Sequence, residues 1–323
     1  MARFVLAVLV LLGHVPFAVV ASAQGYPTHT VRFIIPFGPA SGTDITARLL
    51  ADKLTVRWGK PVVVENRPGG DGLVSINTFT GANEDHTLLF APVATFAVHP
   101  FTHEKLPYNA ERDLLPIVNV TTIVLSITAS TAIKVNTLAE FEALVHREPG
   151  KYNVAAAAGN SDFLLSGFIK SSGLQVTKVP YRDIMQGPND LAENRIQLLM
   201  SSITIVRALH QAGRVKVLAV TGRKRAPIEP AIPTASEAGY PQLELESLIG
   251  MYGPRGMPME LRERIAADIR AVVEANPEIK PKLEATGQVI ELRGPADFAA
   301  GIAQIRSKLT AIAQALGMKA ATQ

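Results

Sequence analysis

Residues 31–54, VRFIIPFGPASGTDITARLLADKL, decide the fold. The apolar start, VRFII, is typical of a buried strand, and Pro36 ends that run. Small residues fill the turn at 38–43, and apolar side chains then recur at helical spacing as far as Leu54. The stretch therefore predicts a strand, a tight loop and a helix, which together form the repeating unit of an α/β domain.

The loop of this unit is a candidate anion site, because backbone N–H groups at a helix N-terminus attract a bound negative group. Ser41 or Thr43 would cap the helix, and Asp44 would lie in its first turn, where the helix dipole favours a negative side chain. The alternative is an ordinary turn, in which the glycines only permit a tight backbone. The candidate ligand-binding residues here are Phe37, Gly38, Ser41, Gly42, Thr43 and Asp44.

Two further units of the same kind follow the first. Residues 61–66 predict a strand, residues 67–72 a glycine-rich loop and residues 73–82 a helix, while a third strand at 87–91 leads into residues 92–95. Strands joined in this way are parallel, and open α/β sheets bind ligands at the carboxyl edge of such strands. The candidate ligand-binding residues at this edge are Gly69, Gly70, Val93 and Thr95.

The middle third of the chain repeats this alternation of strands and helices, which predicts a second α/β domain. We expect strands at residues 152–157, 175–180, 196–200 and 215–221. Small or polar residues follow the first three of these strands, as they do in the first domain. The candidate ligand-binding residues here are Gly159, Asn160, Ser161, Tyr181 and Ser202.

Two β-prone runs, residues 115–129 and 243–252, are longer than single strands need and would suit crossings between the domains. Two C-terminal helices follow. The second helix starts at Pro295, a favoured first helical residue, and carries an apolar stripe that we expect to pack on the first domain. We therefore assign residues 24–124 with 245–323 to a first lobe and residues 125–244 to a second lobe.

Residues 1–23 have the pattern of a secretory signal peptide. They contain Arg3, an apolar run at 4–12 and a small-x-small cleavage site at 21–23. We therefore expect a periplasmic protein that begins near Gln24. The 323 residues include no cysteine, so packing must stabilise the exported chain. The net charge is +4 and the basic residues are scattered, a pattern that argues against nucleic-acid binding.

Seven short motifs, in order along nearly the whole mature chain, resemble the periplasmic solute receptors of tripartite tricarboxylate transporters. They are VRFIIPF (31–37), TDITAR (43–48), VVENRPG (63–69), LPY (106–108), VPY (179–181), LAVT (218–221) and PTASEAG (233–239). The resemblance implies an α/β, two-lobed periplasmic binding protein of the type II-like class with a hinged ligand cleft. It also implies a monomeric receptor that needs no cofactor, binds a small organic acid or amino acid, and delivers that ligand to membrane permease subunits.

The second-lobe loops depart from the family pattern. The loop at residues 159–164 is shorter than usual and lacks the family's histidine, and Tyr-Lys-Gly becomes Tyr181-Arg182-Asp183. Asp162 and Asp183 would repel a bare dicarboxylate unless the ligand also carried a cationic group. Arg182 would neutralise one of these carboxylates, and Asp162 would also serve as a helix N-cap. The sequence thus leaves an amino acid and a dicarboxylate open as ligands.

The sequence leaves two other classes of function to consider. A ligand-sensing receptor that docks on a membrane sensor kinase would use the same fold, so fold alone does not decide between uptake and sensing. A hydrolytic enzyme has less support, because the chain has no cysteine and no GxSxG motif. His99 and His103 have a spacing seen in metal sites, but Pro100 argues against one helix that holds both. We predict no catalytic residue and no metal site.

Overall fold

The structure is a computed structural model that describes residues 25–181 and 183–320. Its strands are β1 (Val31–Ile35), β2 (Val62–Asn66), β3 (Thr87–Pro92), β4 (Leu115–Ile123), β5 (Leu125–Ser130), β6 (Asn153–Ala156), β7 (Thr177–Lys178), β8 (Leu198–Ser202), β9 (Val215–Val220), β10 (Ser247–Gly253) and β11 (Gln288–Arg293). Its helices are α1 (Gly42–Trp58), α2 (Leu73–Ala82), α3 (Ala94–Ala97), α4 (His99–Thr102), α5 (Ala110–Asp113), α6 (Leu138–Arg147), α7 (Asn160–Ser171), α8 (Gly187–Ala192), α9 (Ile203–Gln211), α10 (Met259–Ala275), α11 (Ile279–Ala285) and α12 (Pro295–Ala315). The predicted signal peptide, residues 1–23, and our expectation for Arg182 lie outside the described residues.

The strands form two separate sheets. The first sheet has six strands in the order β11-β4-β10-β3-β1-β2, and the second has five in the order β7-β6-β8-β5-β9. β1 pairs in parallel with β2 and β3, and β6 pairs in parallel with β7 and β8, as the alternation of strands and helices predicts. The other pairs are antiparallel. The chain is therefore a mixed α/β protein, and neither sheet is a closed barrel.

The first strand, loop and helix form where the sequence predicts them. β1 buries Phe33 and Ile35 in the same apolar cluster as Leu50 and Leu54 of α1, so the helix packs on the sheet. Gly59 ends α1 in the left-handed conformation, with φ of 62°. Burial of one helical face against the sheet explains why an apolar run followed by apolar residues at helical spacing is sufficient to specify this unit.

The β-prone run at 115–129 divides between the two sheets. Its first part is β4 in the first sheet and its second part is β5 in the second sheet, with only Val124 between them. The run at 243–252 behaves differently, because β10 begins at Ser247 and lies wholly in the first sheet. The chain therefore returns to the first sheet through an irregular segment, where the Leu245 N–H donates to the Thr221 carbonyl, and not along the strand that we expected to cross.

The C-terminal helix α12 packs on elements of both sheets. Phe298 is buried against β10, with its ring 5.2 Å from that of Tyr252. At the other end Ile312 lies against Gly167 of α7, where a Cβ atom would come within 3.0 Å of the Ile312 side chain. The helix packs on the first sheet as we expected, and it also packs on α7. The sequence pattern did not indicate this second contact, because Gly167 contributes no side chain to an apolar stripe.

The region between α10 and α12 also holds α11 and β11, which the sequence pattern did not predict. Among the described residues, no helix combines the length and apolar character that a membrane crossing requires.

Candidate ligand-binding site

A cavity of about 1040 Å³ lies where the carboxyl ends of strands from both sheets meet. Ligand pockets commonly measure roughly 300–1,000 Å³, so the cavity has ample room for a small organic molecule. Its lining from the first sheet is Pro36, Phe37, Gly69, Gly70, Asp71, Gly72, Pro92, Ala94, Thr95, Val98, Thr102, Ile123 and Ser247. Its lining from the second sheet is Leu125, Ala156, Ala157, Ala158, Gly159, Asn160, Ser161, Asp162, Phe163, Lys178, Val179, Pro180, Tyr181 and Ser202.

The structure brings together in this lining many of the residues that the sequence singles out. They are Phe37, Gly69, Gly70, Thr95, Gly159, Asn160, Ser161, Tyr181 and Ser202. It places the others outside the lining: Gly38, Ser41, Gly42, Thr43, Asp44 and Val93. Gly38 and Ser41 belong to the loop after β1, and Gly42, Thr43 and Asp44 are the first three residues of α1.

The loop after β1 holds the start of α1. The Ser41 hydroxyl accepts the Asp44 N–H at 3.2 Å, as a helix cap does. The Asp44 carboxylate accepts the Ala40 N–H at 2.9 Å and the Arg48 Nε–H at 3.0 Å. Burial alone would raise the pKa of Asp44, but hydrogen bonds from Arg48 and Asn66 outweigh it and lower that pKa. These polar groups are thus occupied within the protein.

The remaining residues that lie outside the lining have structural contacts. The Gly42 carbonyl accepts the side-chain amide of Gln288 at 2.9 Å, and Thr43 is buried within α1. The Val93 N–H donates to the Leu248 carbonyl, and the Val93 side chain belongs to the apolar core. From the loop after β1, Pro36 and Phe37 line the cavity.

The loop after β2, residues 69–72 with the sequence GGDG, is called here the glycine loop. All four of its residues have positive φ angles, including Asp71 at 54°. The Gly72 N–H donates to the Gly69 carbonyl, whereas the N–H groups of Gly70 and Asp71 have no acceptor among the described residues. A Cβ at Gly72 would lie 2.3 Å from the Thr95 methyl carbon. Successive free N–H groups in this conformation form an anion-binding concavity.

Buried His99 supports the glycine loop from behind. Its Nε2 lies 3.1 Å from the Asp71 carbonyl oxygen, and its Nδ1 lies 2.7 Å from the Tyr108 hydroxyl. Because a carbonyl only accepts, we assign the proton to Nε2, so that Nδ1 accepts from Tyr108. Burial lowers the pKa of His99 and favours this neutral form. The His103 ring packs against His99, and no side-chain group suited to hold a metal ion occurs among the described residues.

The start of α7 forms the opposite wall of the cavity. Gly159 precedes the helix with φ of 85°, and Asn160 and Ser161 are its first residues, 3% and 4% exposed. Both Nδ2 and Oδ1 of Asn160 are buried without a hydrogen-bond partner among the described residues. The hydroxyls of Ser161 and Thr95 also make no hydrogen bond there. This wall therefore offers polar side chains where the glycine loop offers backbone.

The charged side chains in the described lining are Asp71, Asp162 and Lys178. Lys178 Nζ lies 2.6 Å from Asp162 Oδ1, so this carboxylate is already paired. Lys178 was not among the predicted site residues, and it ends a strand much shorter than the expected 175–180. Asp183, expected to face the cleft, instead accepts the Met185 N–H and lies outside the lining.

Tyr181 lines the cavity, and its hydroxyl donates to the Asp190 carboxylate at 2.6 Å. Asp71 and His99 were also not among the predicted site residues. Asp71 lies in the glycine-rich loop that the sequence predicts, and the LPY motif supplies Tyr108 as the partner of His99.

Known proteins share both the sequence pattern and the fold. BugT of Bordetella pertussis is 28% identical over 285 residues, which cover 85% of this chain and 87% of BugT. A Rhodopseudomonas palustris protein solved with adipate has a TM-score of 0.74 at 24% identity and covers 91% of this chain and 99% of its own. MatC of the same organism, solved with bound malate, has a TM-score of 0.72 at 23% identity, with coverage of 89% and 99%.

At these identities the structural likeness shows the fold, a two-sheet α/β fold of the periplasmic binding protein type. The family of tripartite tricarboxylate transporter family receptors matches residues 46–318. The chain therefore belongs to this family, whose members are periplasmic solute-binding proteins and not enzymes.

Proposed function

We propose that this receptor binds a small organic carboxylate in the cavity between its sheets. The observation that carries the proposal is the glycine loop, whose Gly70 and Asp71 N–H groups have no acceptor among the described residues and belong to the cavity lining. A carboxylate supplies acceptor oxygens for two adjacent donors of this kind. The relatives solved with malate and adipate support a carboxylate as the ligand class.

The proposal includes two lobes that close on the ligand, residues 24–124 with 245–323 and residues 125–244. Support for these boundaries comes from the two places where the chain changes sheet, at Val124 and at residues 244–246. A small number of residues at such crossings can absorb the backbone rotation of a hinge. In this scheme residues 1–23 direct export, and the closed monomer presents its ligand to membrane permease subunits.

A thermal-shift screen of residues 24–323 tests the binding step. We expect succinate, malate or adipate to raise the unfolding temperature, because a ligand at 100 times its Kd adds about 2.7 kcal/mol to the stability of the folded state. The dimethyl ester of the best acid is the matched control, since it keeps the carbon skeleton but loses the carboxylate charges. Absence of a shift with every small carboxylate, or an equal shift with the ester, would overturn the proposal.

Uptake by the host cell tests delivery to a permease. We expect deletion of this gene to abolish concentrative uptake of the acid that binds. The full chain should restore uptake, whereas a chain that lacks residues 1–23 should not. Normal uptake in the deletion strain would contradict the transport role while leaving carboxylate binding intact.

A further inference from the structure

The second crossing between the sheets, at residues 244–246, changes its support within one peptide bond. Thr221 follows β9 of the second sheet. Its carbonyl accepts the Leu245 N–H at 2.8 Å, and its hydroxyl donates to the Leu245 carbonyl at 2.9 Å. The next residue, Glu246, is held by the first sheet, because Arg293 Nη2 of β11 lies 2.8 Å from Glu246 Oε1. A hinge rotation between the sheets would therefore act between Leu245 and Glu246.

Arg223 spans this point from the second-sheet side. Its half-exposed side chain follows β9, and its Nε lies 3.9 Å from Glu246 Oε2 and 3.5 Å from Glu244 Oε1. Its Nη2 donates to Oε1 of Gln304 in α12. The contacts of Arg223 with Glu246 and Gln304 are called here the hinge latch, because they join residues of the two proposed lobes across the crossing.

The hinge latch lies behind the crossing strands, on the face that α12 covers. Ile123 of β4 and Ser247 of β10 are paired across the first sheet, and both line the cavity. Side chains alternate along a strand, so the neighbouring pair, Thr122 with Leu248, points to the other face. α12 packs on that other face, because a Cβ at Gly301 would lie 2.9 Å from the Leu248 side chain. Neither α12 nor the hinge latch contributes to the described cavity lining.

The cavity is larger than a small acid requires. Pockets of roughly 300–1,000 Å³ enclose drug-sized ligands, and this cavity has about 1040 Å³, although succinate and adipate are smaller than such ligands. The lobes must therefore approach each other to bury an acid of this size. When the side of a hinge that faces the ligand closes, the side behind the hinge opens. Closure therefore separates Arg223 from Glu246 and Gln304.

We infer that Arg223 is a positioning residue that stabilises the open orientation of the lobes and so lowers ligand affinity from outside the cavity. The apparent affinity of a receptor falls with the population of its binding-competent form. Loss of the hinge latch removes a stabilising contact from the open form alone, so the closed form gains population and every ligand binds more tightly. The inference rests on the proposed function for its ligands, whereas the population of the closed form is measured without a ligand.

Calorimetric titration of residues 24–323 with succinate, malate and adipate tests the effect on affinity. We expect Arg223→Met to tighten the binding of each acid that binds by about two- to fivefold, the range that an exposed ion pair supports. The factor should be the same for each acid, because Arg223 lies outside the lining. Loss of a positive charge by itself would weaken the binding of an anion, so the direction of the change separates the hinge latch from a simple charge effect.

Arg225→Met is the matched control. Arg225 is exposed to a similar degree as Arg223 and pairs at 2.8 Å with Glu237, which lies in the same lobe. This variant loses the same charge and should not tighten the binding of any acid. Gln304→Met is a second variant of the hinge latch; it removes an acceptor of Arg223 without a change of charge and should tighten binding by a smaller factor.

Electron spin resonance of the ligand-free protein measures the closed population. The chain has no cysteine, so spin labels can be attached at Val74→Cys and Met185→Cys alone. Both positions are exposed, and they lie near the glycine loop and near Tyr181 on opposite sides of the cavity. We expect the shorter label-to-label distance to gain population when Arg223→Met is added, and to stay at its wild-type population when Arg225→Met is added.

The outcomes separate the two proposals. A wild type that binds none of the acids removes the proposed function, and the distance distributions still decide on the hinge latch. Unchanged or weaker binding in Arg223→Met, or an unchanged distance distribution in the ligand-free variant, overturns the inference and leaves carboxylate binding standing. Equal tightening in Arg225→Met would also overturn it, because the effect would then come from net charge.

Discussion

The two walls of the cavity offer different kinds of group to a ligand. The glycine loop on the first-sheet side offers backbone N–H groups, held by four consecutive positive φ angles and by the imidazole of His99. The start of α7 on the second-sheet side offers the side chains of Asn160 and Ser161, next to the ion pair between Asp162 and Lys178. Backbone groups suit a feature that every ligand shares, the carboxylate. Side chains suit the part of the ligand that varies, because a single substitution changes them.

The largest expected effect comes from breaking the backbone wall with Gly72→Ala. The new Cβ would lie 2.3 Å from the Thr95 methyl carbon, at a φ of 99° that alanine rarely adopts. We expect ligand affinity to fall beyond detection by calorimetry, and the free energy of unfolding to fall by about 1–3 kcal/mol for the strained residue. Urea unfolding measures the second quantity.

Gly38→Ala is the matched control for this substitution. A Cβ at Gly38 meets no atom within 4 Å, and its φ is not positive, so affinity and stability should both stay at wild-type values. Adding Thr95→Ser to Gly72→Ala deletes the methyl carbon that clashes and should restore part of the affinity. Wild-type affinity in Gly72→Ala would show that the carboxylate binds elsewhere.

His99→Phe removes the support of the same wall without touching the cavity. The substitution leaves the Asp71 carbonyl and the Tyr108 hydroxyl without their partner, and the unpaired Tyr108 hydroxyl, which is buried, costs about 1–3 kcal/mol. We expect lower stability together with an affinity loss of about tenfold. Without His99 the glycine loop is disordered in the free protein and must be ordered when the ligand binds. An ordering free energy of about 1.4 kcal/mol corresponds to a tenfold loss of affinity. Unchanged affinity in a destabilised variant would limit His99 to a role in the core.

Stability should also depend on pH through His99. Burial lowers the pKa of His99 below its usual 6.5, so the unfolded chain binds more protons as pH falls below that value. The contribution of His99 is therefore complete above pH 6.5 and is lost as pH falls towards the lower pKa of the folded state. His86 has a lowered pKa from burial as well, with a further contribution from the His29 charge. The free energy of unfolding should therefore rise with pH between pH 5 and 7. His86→Gln should remove one part of this rise, and His99→Phe should remove another part.

The sequence predicted the strands that carry the site more reliably than the site itself. The carboxyl edge of β1, β2 and β3 follows from the alternation of apolar strands and helices, which burial enforces. Ser41 and Asp44 were assigned to the ligand because hydroxyls and carboxylates serve helix caps and binding sites equally well, and only the contacts decide. His99 acts on a carbonyl 28 residues away in the chain, a relation that no local pattern contains.

The wall at the start of α7 carries the charged pair Asp162 and Lys178, and Lys178→Met should change ligand affinity by a smaller amount than the substitutions above. Loss of the lysine leaves the Asp162 carboxylate unpaired beside the cavity, where it repels an anionic ligand. Both side chains are more than a third exposed, so solvent screening limits the effect on dicarboxylate affinity to about two- to fivefold. Titration with succinate and aspartate measures it, and the loss should be smaller for aspartate because its ammonium group favours the free carboxylate.

Lys170→Met is the control for net charge, since Lys170 is exposed on α7, the helix that carries Asp162, and lies outside the lining. Asp162→Asn should act in the opposite direction and tighten succinate binding by a similar factor. Equal losses of affinity for succinate and aspartate in Lys178→Met would show that Asp162 and Lys178 do not discriminate between ligands by charge.

The smallest expected effect on binding belongs to Ser41→Ala, which tests whether the loop after β1 takes part in the backbone wall. The Ser41 hydroxyl is 3.2 Å from the Asp44 N–H that it caps, and Ser41 lies outside the lining. Loss of the cap should lower the free energy of unfolding by about 1 kcal/mol and leave ligand affinity within twofold of wild type. Thr137→Ala removes the same kind of cap from α6, which lies outside the lining, and should cost a similar amount. Weaker binding in Ser41→Ala at unchanged stability would place the first loop against the ligand, and the first-sheet wall would then use side chains as well as backbone.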